Sequence, residues 1–377
     1  MIEHIAPRIL AAFSSVVPVF RLPVPTGPFP VGTAVVSLGS ASELQLWYPA
    51  RREADNRLAL YEPVLPGKRN QIFRWVRTAA MLDAPLADGG PFPPIVYVNG
   101  WNGTRWGNTA LVLELASHGF VVASTDQPTG VLDGVDLSAD MDFSSPAAQA
   151  RTLRVIPVKL RAQVRAVVAV LDRTTELNAD AHSRFAGRFD LSRAGIVGFS
   201  FGGATAAETA LTDTRVRAAI NMDGTMFGEA GRIGPPFPFL KMNDGSTVTD
   251  AQRNSTDFAI RLRANMVDDS RRRMRANFAR NGGYNLTIPG TLHSNFSDFP
   301  ILVPWRRFSG AGPINAARAG EIVRQWVVGF FNFTLLGCEW PPATPDPEAV
   351  LESWPPPDRD PAGHDERAHA SPSAGPR

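Results

Sequence analysis

Gly198-Phe199-Ser200-Phe201-Gly202 places a serine between two glycines in the pattern G-x-S-x-G. A serine hydroxyl is a weak nucleophile until a base takes its proton. The pattern becomes informative when a strand runs directly into it and a helix directly out, because the tight turn then lifts Oγ above a sheet edge. Both flanks are present. Gly195 to Phe199 reads as a buried strand, and Phe201 to Leu211 as an Ala-rich helix. Side chains at 198 and 202 would collide with neighbouring backbone, and Gly203 adds further room. Ser200 is expected in a strained conformation at a helix N-terminus, whose positive end favours a developing oxyanion.

The base is found among six histidines. His4 lies in an N-terminal arm, His364 and His369 near the C-terminus, and His182 in a polar linker. His118 ends a helical stretch before Gly119, a capping position. His293 remains, in Gly290-Thr291-Leu292-His293-Ser294 after a late strand, where a base can reach the serine. The orienting acid should come between serine and histidine in the chain. Asp223 and Asp244 each follow a predicted strand, and spacing alone leaves both open. Two backbone N–H groups should hold the oxyanion: that of Phe201, and that of Trp101 in the loop Asn99-Gly100-Trp101-Asn102-Gly103. The residues named for the surrounding pocket are Asn99, Gly100, Phe199, Phe227 and Phe296, with apolar character predominating.

These groups need a frame. Thr33 to Leu38 and Glu43 to Tyr48 read as an opening antiparallel pair. Ile95 to Val98, Phe120 to Ala123, Ala218 to Met222, Phe237 to Met242 and Asn285 to Ile288 are further strands. Asn108 to His118, Gln149 to Asp172 and Ile314 to Leu336 are helices, and Pro157 is expected to start or kink the second. This alternation implies a mostly parallel sheet with helices on both faces. A basic helical segment, residues 251–282, is expected as an insertion before the last strand, either packed on the body or forming a cap over the site. Residues 1–30 read as an arm, 31–340 as the main domain, and 341–377 as a disordered Pro-rich tail.

The bulk numbers narrow the function classes. The 377 residues carry 38 basic and 36 acidic side chains, a net charge of +2 that implies no nucleic-acid partner. Apolar residues make up 44% and charged residues 20%, enough for a large core. One cysteine, Cys338, excludes an internal disulfide and a cysteine zinc site. The dispersed histidines offer no metal motif, no glycine pattern suits a nucleotide, and no cofactor is implied. Ile9 to Phe20 is apolar, but Glu3 precedes it and no cleavage site follows, so a cytoplasmic location is expected over a secreted one. Membrane-surface contact through residues 251–280 is the weaker alternative, since only Phe258 and Phe278 supply aromatic anchors there.

Taken together, Thr26-Gly27-Pro28-Phe29-Pro30, Leu46-Trp47-Tyr48-Pro49, Leu115 to Val122, Gly198 to Ala206 and Gly290 to Phe299 carry a resemblance. The chain resembles the platelet-activating-factor acetylhydrolase-like branch of the α/β hydrolases, across about residues 25–335. The resemblance implies an α/β-hydrolase fold and prefers Asp223, in Met222-Asp223-Gly224, as the acid. It also puts the Trp101 amide in the hole. Phe199 stands where the family often has His, and Asn99 where it has His or Pro, differences that belong to the pocket. The expected activity is a serine carboxylic-ester hydrolase using an acyl-enzyme, with short-acyl, lipid-like or other apolar esters as small-molecule substrates. An amidase or polyester hydrolase on the same residues, or a non-catalytic binding protein, are the alternatives.

Overall fold

Short apolar runs become strands here because both their faces are covered, as parallel strands require. The computed structural model describes residues 22–39, 42–53, 57–61, 73, 76–236, 238–303, 305–340 and 348–356. The strands in chain order are β1 (Val31–Ser37), β2 (Glu43–Pro49), β3 (Leu58–Leu60), β4 (Arg77–Leu82), β5 (Pro94–Val98), β6 (Val121–Thr125), β7 (Val131–Leu132), β8 (Val135–Asp136), β9 (Ala194–Phe199), β10 (Val216–Met222), β11 (Phe239–Asp244), β12 (Gly283–Ile288) and β13 (Val350–Trp354). All but β7 and β8 form an 11-stranded sheet in the order β13-β12-β11-β10-β9-β5-β6-β2-β1-β4-β3. From β6 through β12 every neighbouring pair is parallel. The expected β1–β2 antiparallel pair is present, and β2 joins β6 antiparallel.

Helices α1 (Thr109–Ser117), α2 (Pro146–Ala179), α3 (Phe201–Thr212), α4 (Gly228–Ile233), α5 (Asp250–Arg253), α6 (Phe258–Asn281), α7 (Phe299–Leu302), α8 (Arg306–Ser309) and α9 (Ala316–Leu336) complete the fold. Alternate residues of β5 point to opposite faces. Ile95 and Tyr97 join the core under α1 and α9, while Val96 and Val98 join the core under α2, α3 and α6. Both faces are thus covered, and the chain has the α/β-hydrolase fold. None of these helices is long and apolar enough to cross a membrane.

Several expectations shift. Helix α2 starts at Pro146 on a Ser145 cap and runs 34 residues through Pro157, which therefore does not start it. The stretch 49–90 holds β3 and β4, missed because one is three residues long and the other carries small alanines. The segment after β11 is helical as expected, but α6 lies between two parallel strands, which need such a crossover. Its Met274 and Phe278 sit in the sheet-side core, so this half of the segment is body and not cap. The tail reading is corrected at β13: Val350–Trp354 pairs antiparallel with β12, and Trp354 packs 5.2 Å from Phe278. A bare strand edge is stabilised by any short extended segment that reaches it. Most of the N-terminal arm (1–21), residues 341–347, residues 357–377 and Phe237 lie outside the described residues.

Candidate active site

Ser200 and Asp223 follow immediately on β9 and β10, adjacent parallel strands, and both have positive φ, at 56° and 54°. This conformation costs a non-glycine residue on the order of 1–3 kcal/mol and throws the side chain off the strand end. Two strand-like hydrogen bonds hold it: Ser200 N donates to Met222 O and Asp223 N to Met242 O, each at 2.9 Å. The turn at Ser200 is as tight as its glycines suggest. A Cβ on Gly198 would stand 2.0 Å from Gly202 O, and one on Gly202 would stand 2.1 Å from Val98 O.

His293 arrives from the loop after β12. Its Nδ1 lies 2.6 Å from Asp223 Oδ2, and its Nε2 lies 3.0 Å from Ser200 Oγ. A proton on Nδ1 shared with the carboxylate leaves Nε2 free to accept from the hydroxyl. The His293 side chain is 52% exposed and that of Asp223 13%, so the imidazole is open to a ligand while the acid is screened. Phe199 stacks on the imidazole, with ring centroids 4.9 Å apart.

Asp244, the other candidate acid, points elsewhere. Its Oδ1 accepts from Ser246 N and Oγ, while its backbone N–H donates to Asp223 Oδ1 at 2.9 Å. Burial, then the neighbouring Asp223 charge, push its carboxyl above the usual range. Below this pair Lys241 is buried, and burial pulls its amine down to about 8 against the attraction of Asp223 and Asp244.

The two amides expected to hold an oxyanion belong to Phe201, the residue after Ser200, and to Trp101, in the loop after β5. Phe201 opens α3, where an N–H has no carbonyl partner within the helix. Trp101 occupies the turn closed by Gly103 N to Gly100 O at 2.9 Å. A Cβ on Gly100 would come within 3.2 Å of Ser200 Cβ, so this loop touches the serine.

Of the pocket residues, Gly100 approaches Ser200, Phe199 stacks on His293, and Phe227 packs on Phe201 with ring centroids 6.0 Å apart. Phe227 joins partly buried Trp101 and Phe143 over buried Phe201 and Leu160. Two are corrected. Phe296 is 1% exposed, its ring drawn into the main core, where it can line no open pocket. Asn99 is 3% exposed and anchors the loop, its Nδ2 donating to Thr125 O at 3.0 Å.

Sequence reasoning passed over the residues that hold these loops. Asn295 Oδ1 accepts from Leu292 N and Gly312 N, fixing the turn that carries His293. Asp298 Oδ2 accepts from Ala110 N at 3.1 Å and ties the same loop to the start of α1. Both lie in the His293 to Phe299 stretch that carried the resemblance, which was the available signal. Phe143 and Gln163, a buried polar residue on an amphipathic stripe, offered none.

The comparisons with known proteins concern the family and the fold. A model of the family described as platelet-activating factor acetylhydrolase, isoform II, matches residues 165–336. A probable 1-alkyl-2-acetylglycerophosphocholine esterase of Arthroderma benhamiae is 26% identical over 271 residues, 66% of this chain and 62% of that protein. The chain thus spans less than two thirds of that relative's length. The platelet-activating factor acetylhydrolase of Cavia porcellus is 24% identical over 364 residues, 82% of this chain and 77% of its own. A solved ferulic acid esterase from Streptomyces cinnamoneus is similar at TM-score 0.65 and 25% identity, covering 88% of this chain and 98% of that one.

Proposed function

We propose that this α/β hydrolase, similar in sequence to the platelet-activating factor acetylhydrolases, cleaves carboxylic esters through an acyl-enzyme on Ser200. The observation that carries the reading is the continuous Asp223–His293–Ser200 hydrogen-bonded chain, at 2.6 and 3.0 Å. His293 Nε2 takes the Ser200 proton as Oγ attacks the ester carbonyl, and Asp223 stabilises the imidazolium. The carbonyl oxygen, now negative, is held by the Trp101 and Phe201 amides. The intermediate collapses, the C–O bond to the alcohol breaks, and His293 returns its proton to the leaving alkoxide. A water deprotonated by His293 then attacks the acyl-Ser200, releasing the acid and regenerating the hydroxyl.

The substrate class is a short-acyl, lipid-like or otherwise apolar ester. Support comes from the aromatic cluster of Trp101, Phe143 and Phe227 packed around Phe201, the residue after Ser200, and from relatives named for 1-alkyl-2-acetylglycerophosphocholine and for ferulic acid. The test is a panel of p-nitrophenyl esters of increasing acyl length under rapid mixing. A burst of nitrophenol near one equivalent, with the acyl group recovered on the Ser200 peptide, is expected. Turnover that persists unchanged in Ser200→Ala would remove the reading.

A further inference from the structure

Helix α2 aims two polar side chains, Lys159 and Gln163 at i and i+4, at the loop after β5. Gln163 Nε2 donates to Asn99 O at 3.0 Å. Gln127 Nε2 donates to Asn99 O at 2.8 Å and to Gly100 O at 2.9 Å. Lys159 is 0% exposed. Its amine donates to Asn102 Oδ1 at 2.6 Å and to the Leu137 carbonyl, and stands 4.6 Å from the centroid of the Trp101 ring. Burying an ammonium is costly unless its donors are used. Here two donors find oxygens and the charge faces an indole, the aromatic that best receives a cation. The proton transfers proposed above do not involve this group.

We propose that Lys159 is a positioning residue for the oxyanion hole, holding the Gly100–Gly103 turn through Asn102 and Trp101 so that the Trp101 N–H faces the reacting carbonyl. The inference rests on the ester-hydrolase reading. The peptide that carries this N–H also carries Gly100 O, and in a trans peptide the two point in opposite directions. Gly103 N and Gln127 Nε2 hold the oxygen, which sets one end of the turn. The other end passes through Asn102, whose φ of 53° is a conformation few residues adopt. Lys159 grips this residue by its side-chain oxygen. The Trp101 indole is held on both sides: Nε1 donates to Ala139 O at 2.9 Å, and the ring meets Phe201 edge-on at 4.8 Å. Both hole residues therefore share one packed unit with Lys159 beneath it.

Asn102 gives the cleanest test, because its side chain is exposed and glycine accepts its backbone angles. The variants are N102G, K159M, their double, and N102D combined with D140N. The last restores an oxygen acceptor for Lys159 without facing the Asp140 carboxylate, which now bonds Asn102 Nδ2 at 3.3 Å; the Nδ2 bond to the Ser138 carbonyl at 3.0 Å is the contact it does not return. The readouts are the second-order rate of inactivation by a fluorophosphonate, kcat and KM for p-nitrophenyl acetate, and Tm. Loss of a hole donor costs about 10²–10³-fold in kcat, and a misplaced donor should cost about 10- to 100-fold. N102G should lower kcat and the inactivation rate by that factor with KM within about twofold, since the contact matters only as charge develops. N102D/D140N should recover most of the loss, and the double variant should be no worse than either single. Wild-type rates in N102G, a change in KM alone, or no recovery in N102D/D140N would overturn the proposal even if K159M fails to fold. A wild type inert to both ester and fluorophosphonate would instead overturn the ester-hydrolase reading, and this proposal with it.

Discussion

Asp223 and Asp244 lie one strand apart at the same sheet edge, yet only Asp223 meets His293. The difference is in the backbone: Asp223 has left the strand with positive φ, whereas Asp244 is still its last residue and turns to Ser246. Asp223→Asn should therefore lower kcat by about 10⁴-fold, the cost of losing the correct imidazole tautomer. Asp244→Asn should stay within about tenfold, because its link to Asp223 is a main-chain N–H. Steady-state kinetics on one activated ester separates the two. Ser200 and His293 were legible from residue type, spacing and chain order. The choice of acid was not, and needed the family resemblance, because a φ angle leaves no mark on strand periodicity. Phe296 was misread for a related reason: a phenylalanine beside a catalytic-type histidine looks the same whether it faces the pocket or the core.

At the scale of elements, the strand–turn–helix unit around Ser200 depends on backbone contact closer than any side chain allows. Gly202→Ala would press a methyl against Val98 O, a rigid neighbour. Chemical denaturation should show a loss of about 3 kcal/mol or failure to fold, at the upper end of overpacking costs. The loop carrying His293 is held differently, through buried Asp298 at the start of α1. Burial pushes that carboxyl up to about 7 from an ordinary 3.8. Between these values the folded state keeps a proton the unfolded chain has released, so this group's contribution to stability is full below 3.8 and is lost as the pH rises to about 7. The stability difference between wild type and Asp298→Asn should shrink over the same window in urea titrations. Long elements such as α9 were read nearly to the residue, helped by its apolar stripe and Gly337. β3 and β4 were not, because three residues or a run of alanines carry too little period-two signal.

Across the whole molecule, the parallel strands β5, β6 and β9–β12 form the working centre, flanked by antiparallel strands on both sides. The alternation of strand and helix made this architecture readable, and similarity to a solved esterase over 88% of the chain agrees with it. The outermost strand escaped notice because β13 is embedded in Pro-rich sequence, and its order comes from a partner edge far away in the chain. Trp354→Ala, which removes the ring packed on Phe278, should lower Tm by several degrees while leaving kcat unchanged. A calorimetric scan with a parallel activity assay checks both.

The central claim is that Ser200 is an activated nucleophile. Intact-mass measurement after fluorophosphonate treatment tests it most directly, on the wild type beside Ser200→Ala. One adduct on the wild type and none on the variant is the expected result. An unlabelled wild type, or equal labelling of both proteins, would contradict it.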